Sequence, residues 1–311
     1  MRRKIIKQGN NSYTLTLPIK WIRELEIKDN SDLEILEEDN SLIISLPKEA
    51  KKILSSIELD INDYNERTIR NILFQTYRKG YDQIVLSYNS KEQLLIIKNI
   101  TRATLLGFEV VKIEDNKCII ENIAEPSENK FSTILRKIFF TIQDESPQII
   151  SDILNNKFNN LRKYQESKDL IDTYTNFCRR LIIKNKIPDS KNSYLLLILV
   201  SRLSLIYHAY FYMYKSLSSQ KSIILSNKTI NIISDLPNLF NLLSDSFYKK
   251  DLTIANEISI SKDKIIYSSI YNALRVSKGN ENIILYHAGE IVRLIHLSSI
   301  SLFGLTDLEL K

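Results

Sequence analysis

Six cations stand within residues 1–23, Arg2, Arg3, Lys4, Lys7, Lys20 and Arg23, and no Asp or Glu stands among them. Gln8, Asn10, Asn11 and Ser12 lie between them. Guanidinium and ammonium groups neutralise phosphates and release the counterions condensed on a duplex, and amide or hydroxyl side chains meet base edges or backbone in a groove. These residue types at this spacing point to double-stranded DNA, with Arg2, Arg3, Lys4 and Lys7 as the main contacts and Lys20 and Arg23 as secondary phosphate contacts. A plain solvated strand is the other reading the same charges allow. The sign then reverses, since residues 24–39 hold Lys28 against Glu24, Glu26, Asp29, Asp32, Glu34, Glu37, Glu38 and Asp39.

The elements that must hold these side chains follow from periodicity. Ile5 and Ile6 lie in a short strand, Gly9, Asn10 and Asn11 supply a turn, and Tyr13, Leu15 and Leu17 alternate with Ser12, Thr14 and Thr16 as a half-buried strand. Pro18 fits the first position of a short helix, which is expected to bury Trp21, Ile22 and Leu25. Leu33 and Ile35, then Leu42, Ile44 and Leu46, flank a turn at Asp39 and Asn40 and predict a β-hairpin. A unit this short removes too little surface from water to stand alone, so two copies interlacing their hairpins are expected.

The run KQGNNSYTLTLPIKWIRELEI resembles the swapped-hairpin DNA-binding domain of the SpoVT/AbrB type, in which a basic strand, a GNS turn, an alternating strand, an LP pair and a short helix follow in that order. The resemblance covers about 45 residues, and departs from the family at Glu26, Asn30 and Asp39-Asn40, where glycine is common. It implies a homodimeric β-barrel built from two copies, with the cations of both on one face.

Beyond this head, 311 residues suggest two or three domains. The boundaries drawn here are 1–47 for the DNA-binding and dimerisation domain, 48–125 for a small two-layer α/β domain, and 126–311 for a helical bundle, a multi-domain α+β chain. After a polar connection at 47–56, Ile57, Leu59 and Ile61 read as a strand. Asp63 and Glu66 are spaced as a capping box for a helix carrying Ile69, Ile72, Leu73 and Thr76 up to Gly80. A strand at 81–88, a helix capped by Ser90 and Gln93 that runs to Gly107, and a hairpin turning at Asp115-Asn116 complete a β-α-β-α-β-β order. Helices follow: one capped by Ser127 with Phe131, Ile134, Leu135, Ile138, Phe139 and Ile142 inward and a kink or restart at Ser146-Pro147, then segments at about 158–185, 190–217, 227–249, 252–278 and 281–303.

This layout, with TNFCRRLI at Thr175 to Ile182, resembles archaeal PhoU-type phosphate uptake regulators fused to a DNA-binding head. The resemblance implies transcriptional regulation of phosphate uptake or signalling. PhoU bundles often carry acidic pairs that hold metal, but at the matching places this chain has Ser204 with His208 and Glu290 with Leu294, so no metal is expected. His287 and Glu290 share a helical face, yet a site needs at least three protein ligands.

Net charge is +6 and the isoelectric point about 9.0, which suits nucleic acid or another acidic surface. Cys118 and Cys178 show no metal or redox spacing and, with no secretory signal, read as reduced thiols of a cytoplasmic protein. Residues 194–214 are long enough to cross a bilayer, but Arg202 near the centre would cost roughly 2.5–3.5 kcal/mol there. A central bundle helix with Arg202 paired or at an edge is expected, with no membrane insertion, and the aromatics from Tyr207 to Tyr214 fit a core or dimer interface. No nucleophile elbow, phosphate loop, zinc helix or paired carboxylates occur, so no enzyme and no cofactor are expected. Two other roles use the same features. One is an adaptor that docks on a phosphate transporter or signalling kinase through its helices, and the other is an antitoxin-like role for the head.

Overall fold

The structure, a computed structural model, describes residues 2–38, 41–46, 54–124, 129–184, 192–220 and 222–306. The side chains of residues 38 and 129, the turn expected at 39–40, the Ser127 cap and most of the 47–56 connection lie outside the described residues. Two compact units result, residues 1–55 and 56–311.

The first unit is made of two antiparallel ribbons and a short helix. β1 (Ile5–Gln8) pairs with β2 (Ser12–Leu15), α1 spans Ile19–Glu24, and β3 (Glu34–Glu38) pairs with β4 (Ser41–Ser45). Pro18 takes the N-cap position in extended backbone, one residue ahead of the position expected for it, and the helix begins at Ile19. Glu26 and Asn30, where the resembled family favours glycine, both take positive φ, at 53° and 64°. The left-handed turns are therefore kept without glycine, at a modest steric cost that asparagine bears best.

In the second unit β5 (Ser56–Asp60), α2 (Glu66–Arg78), β6 (Gln83–Ser87), α3 (Lys91–Thr104), β7 (Phe108–Glu114) and β8 (Lys117–Asn122) follow in order. They form a sheet ordered β5-β6-β8-β7, parallel only between β5 and β6. Ile84 and Leu86 of β6 and Cys118 and Ile120 of β8 share one face, and Ile69, Leu73 and Tyr77 of α2 and Ile97 and Ile100 of α3 close over it. The α3 cap is as expected, with the Gln93 amide N–H donating to Ser90 Oγ at 3.2 Å. The α2 cap is not: Asn65, rather than Asp63, accepts from the Thr68 amide at 3.0 Å. Asn65 is the residue with extended backbone immediately before the first turn, and that is the geometry a cap requires.

The helical part comprises α4 (Asn129–Leu154), α5 (Leu161–Ile183), α6 (Ser193–Leu217), α7 (Asn227–Ser234), α8 (Leu236–Lys249), α9 (Leu252–Asp263), a π-helical turn at Lys264–Ile270, α10 (Tyr271–Leu274) and α11 (Asn280–Leu305). Pro147 lies inside α4 without ending it. The single helix expected at 227–249 is broken at Asp235, because Pro237 lacks the N–H that would continue α7 and instead sits in the first turn of α8. α6 is the centre of this part, packed against α4, α5 and α11, and Tyr207, Tyr210, Phe211 and Tyr214 are buried in the core.

α5 also packs on α2 and α3, so the α/β layer and the helices share one unit while each keeps its own core. The join is a buried ion pair. Arg180 Nη2 lies 3.0 Å from Asp82 Oδ1, with side chains 3% and 4% exposed, and Nη1 donates to the carbonyls of Tyr77 at 3.0 Å and Tyr81 at 2.8 Å. The same guanidinium lies over the Tyr77 and Phe108 rings, at 5.1 and 4.8 Å from their centroids. Lys184 is a second partner of Asp82. Burial lowers the Arg180 pKa, while Tyr77 and Asp82 oppose that shift and hold the charge.

Candidate nucleic-acid interface

The basic strand is presented by a tight ribbon. Register pairs Ile5 with Leu15, Ile6 with Thr14, Lys7 with Tyr13 and Gln8 with Ser12. Directly paired residues share a face, so Lys7 lies beside Tyr13 on one face and Gln8 beside Ser12 on the other. Gly9 turns the chain at φ 73°. The Ser12 hydroxyl donates to the Gln8 carbonyl, and Thr14 Oγ1 donates to the Ile6 carbonyl at 3.3 Å. These bonds brace the turn that carries Asn10 and Asn11.

All ten residues singled out in the sequence, Arg2, Arg3, Lys4, Lys7, Gln8, Asn10, Asn11, Ser12, Lys20 and Arg23, are exposed. Lys20 lies 3.7 Å from Glu24 one helical turn on, an exposed pair of little energetic weight. Among the described residues no carboxylate pairs with Arg2, Arg3, Lys4, Lys7 or Arg23. Gln8, Asn10, Asn11 and Ser12 are gathered at the ribbon tip, while Lys20 and Arg23 stand on α1.

The apolar side of this unit is as open as its cations. None of its described residues is buried. Ile5, Tyr13 and Leu15 on the first ribbon and Ile35, Leu36, Leu42 and Ile43 on the second are all exposed. Trp21, Ile22 and Leu25, expected to be buried by α1, are only half-buried, because a single copy supplies too few neighbours to cover them.

Elsewhere, two of the histidines find acids. His287 Nδ1 lies 3.3 Å from Glu290 Oε2, and burial lowers the imidazole pKa while Glu290 opposes the shift. His208 Nε2 lies 2.8 Å from Asp172 Oδ1, which also accepts from Ser204 Oγ at 2.8 Å. Lys168 Nζ stands 3.1 Å from Asp172 Oδ2. Burial pushes Asp172 up, but the His208, Lys168 and Ser204 contacts outweigh it and bring the carboxyl to about 2. Asp172 carried no signal in the sequence, since only the packing of α5 on α6 brings it to the Ser204-His208 pair. Two residues of the TNFCRRLI run prove to be connectors: Asn176 Oδ1 accepts from Arg78 Nε at 2.7 Å, and Arg180 makes the buried pair with Asp82. Arg202 is paired, donating to Ser301 Oγ at 3.1 Å and to the Leu297 carbonyl. Two helices, Ser193–Leu217 and Asn280–Leu305, are long and apolar enough to cross a membrane, with 56% and 44% of their apolar windows buried inside the fold.

Residues 6–53 match the family described as antidote-toxin recognition MazE, bacterial antitoxin. An N-terminal domain of the MazE/AbrB type is therefore present, and it fits a DNA-binding regulator. The match stops before the α/β segment and the helices. No curated protein and no solved structure matches the chain.

Proposed function

We propose that this chain is a homodimeric, cytoplasmic, non-enzymatic transcriptional regulator whose head binds operator DNA. The observation that carries the reading is the head itself, a MazE/AbrB-type unit with every candidate DNA-contacting cation exposed and none of its described residues buried. Two copies interlaced into a barrel would cover Ile35, Leu36, Leu42 and Ile43. They would also double the set Arg2, Arg3, Lys4 and Lys7 on a two-fold axis suited to DNA half-sites. The α/β and helical segments report on phosphate status or on a partner protein. What supports phosphate is the order of segments, a DNA-binding head ahead of an α/β layer and a helical bundle, which resembles the PhoU-type regulators.

Eight neutralised phosphates would give a salt slope of roughly −7, a loss of about 10³–10⁵-fold in affinity between 50 and 200 mM salt. Replacing Arg2, Arg3, Lys4 and Lys7 with alanine should abolish binding to genomic fragments in a gel-shift series and leave the helical circular dichroism unchanged. Normal binding by that variant would remove these residues from the interface. The matched family's description names toxin recognition, which favours one second reading, a head that captures a toxin. Co-purification of a small protein encoded beside this chain, lost on deleting the head, would support it. An adaptor on a phosphate transporter or signalling kinase would show no DNA affinity at any salt concentration.

A further inference from the structure

Two guanidiniums of the second unit come together with no carboxylate paired to either among the described residues. Arg78 is the last residue of α2 and Arg179 lies on α5, and both are half-buried. Arg78 Nε donates to Asn176 Oδ1 at 2.7 Å, which ties the end of α2 to α5. Arg179 follows Asn176 by three residues, a spacing that makes the two neighbours on the helix surface. Arg179 Nε is buried with no hydrogen-bond partner among the described residues, and so is Nδ2 of Asn176, a residue 0% exposed. Buried polar groups are nearly always hydrogen-bonded, and a charged one left unmatched costs more than a neutral one.

The acid whose field reaches both arginines is Asp172. Its oxygens are already committed, Oδ1 to Ser204 and His208 at 2.8 Å each and Oδ2 to Lys168 at 3.1 Å. Burial and the Arg78 charge push the Arg179 pKa down to about 10, as expected of like charges held together where water is scarce. Both orphaned groups are donors, so what this place lacks is an acceptor, and the excess of cations asks for a negative one.

We infer that Arg78 and Arg179 form a binding site for a phosphate group, free or carried by a small metabolite. The inference deepens the regulator reading, on which it rests for what the bound phosphate would signal. A guanidinium is a planar fork that takes two oxygens at once, and here two forks are supplied by two different helices. A tetrahedral group offers oxygens to both, whereas a planar carboxylate is matched by one. A phosphate monoester also carries about −1.5 to −2 at neutral pH, the charge that two arginines neutralise. Asp172 would repel it, but Lys168, His208 and Ser204 offset that charge. Because both arginines are only half-buried, a ligand reaches them without opening the fold. Bound there, it joins α2 of the α/β layer to α5 of the helical part, beside the Arg180–Asp82 join.

The test is isothermal titration of the full chain with inorganic phosphate and with glycerol 2-phosphate at fixed ionic strength, with acetate as the planar control. Wild type is compared with Arg78→Gln and Arg179→Gln. The expected result is one site per chain with a Kd below roughly 1 mM, weakened at least about 10-fold in each variant. Phosphate should also raise the urea midpoint of wild type and not that of Arg179→Gln, whose midpoint without phosphate should match or exceed wild type because one of two like charges is gone. An Arg179→Gln variant that is less stable than wild type by the same margin with and without phosphate assigns this residue to packing and overturns the site. Binding by either phosphate compound upholds the site, and the tighter of the two tells whether the group is free or esterified. Acetate bound as tightly as phosphate overturns the choice of ligand. Binding that neither variant moves puts the phosphate on other cations, those of the head included, and overturns the inference. No binding by wild type overturns it while leaving DNA binding, read by gel shift, intact. Phosphate bound by a chain with no DNA affinity upholds the site and removes the regulator.

Discussion

The two units of this chain solve the problem of burying surface in opposite ways. Residues 56–311 enclose two cores, one between a sheet and two helices and one among α4 to α11. The described residues of the first unit enclose nothing, although they are hardly less apolar along their strands. The difference lies in layers. A ribbon has two faces and needs a second layer over at least one of them, and a pair of separate two-stranded ribbons with a six-residue helix cannot supply it. A segment that exposes its apolar strands and its cations together presents two surfaces that the proposed dimer and its DNA would cover.

The sharpest way to break this contrast is to charge the open face of the head. Ile35→Asp on an isolated ribbon should change stability by no more than about 0.5 kcal/mol, as surface substitutions do. In a covered barrel it leaves a carboxylate away from water, and the dimer Kd should rise at least about 100-fold, by roughly 3 kcal/mol. Analytical ultracentrifugation separates the two, and no effect would mean the head is uncovered in solution.

The opposite unit should yield to the loss of its internal join. Arg180→Ala leaves the buried Asp82 without its guanidinium, with Lys184 still beside it, and breaking a buried pair typically costs about 3–5 kcal/mol. Urea unfolding followed by helical circular dichroism should show that loss, with DNA affinity at low denaturant kept. A coincident loss of DNA affinity would mean that folding of the second unit and DNA binding by the head are energetically coupled.

The smallest effect concerns local wiring. Asn65→Ala should cost about 1 kcal/mol through the lost cap on α2, and Asp63→Ala almost nothing. Equal effects in thermal melts would restore the capping box read from spacing.

That last pair shows where reading along the chain stops. Spacing pointed to Asp63, three residues before Glu66, and only the backbone angles of the folded turn select Asn65. The same reading anticipated the first ribbon, the Ser90 cap, the Asp115-Asn116 hairpin, whose two residues take positive φ, and the whole β-α-β-α-β-β order, because each depends on neighbours a few residues apart. It missed the break at Asp235, the π turn at Lys264–Ile270 and the Asp172–His208–Ser204 contact. The first turned on how Pro237 is used and the other two on how helices pack. The ten candidate DNA residues were legible because charge segregation is visible in one dimension.

Order of elements, sign of charge and the periods of apolar residues were determined by the sequence alone, since each is a local or compositional property. The tertiary structure decided which side chains end up covered. It buried Arg180 against Asp82 across 98 residues, paired Arg202 with Ser301 of α11, and left the described residues of the head open. Burial depends on what lies on the far side of a surface, and that partner is encoded elsewhere in the chain or in another molecule.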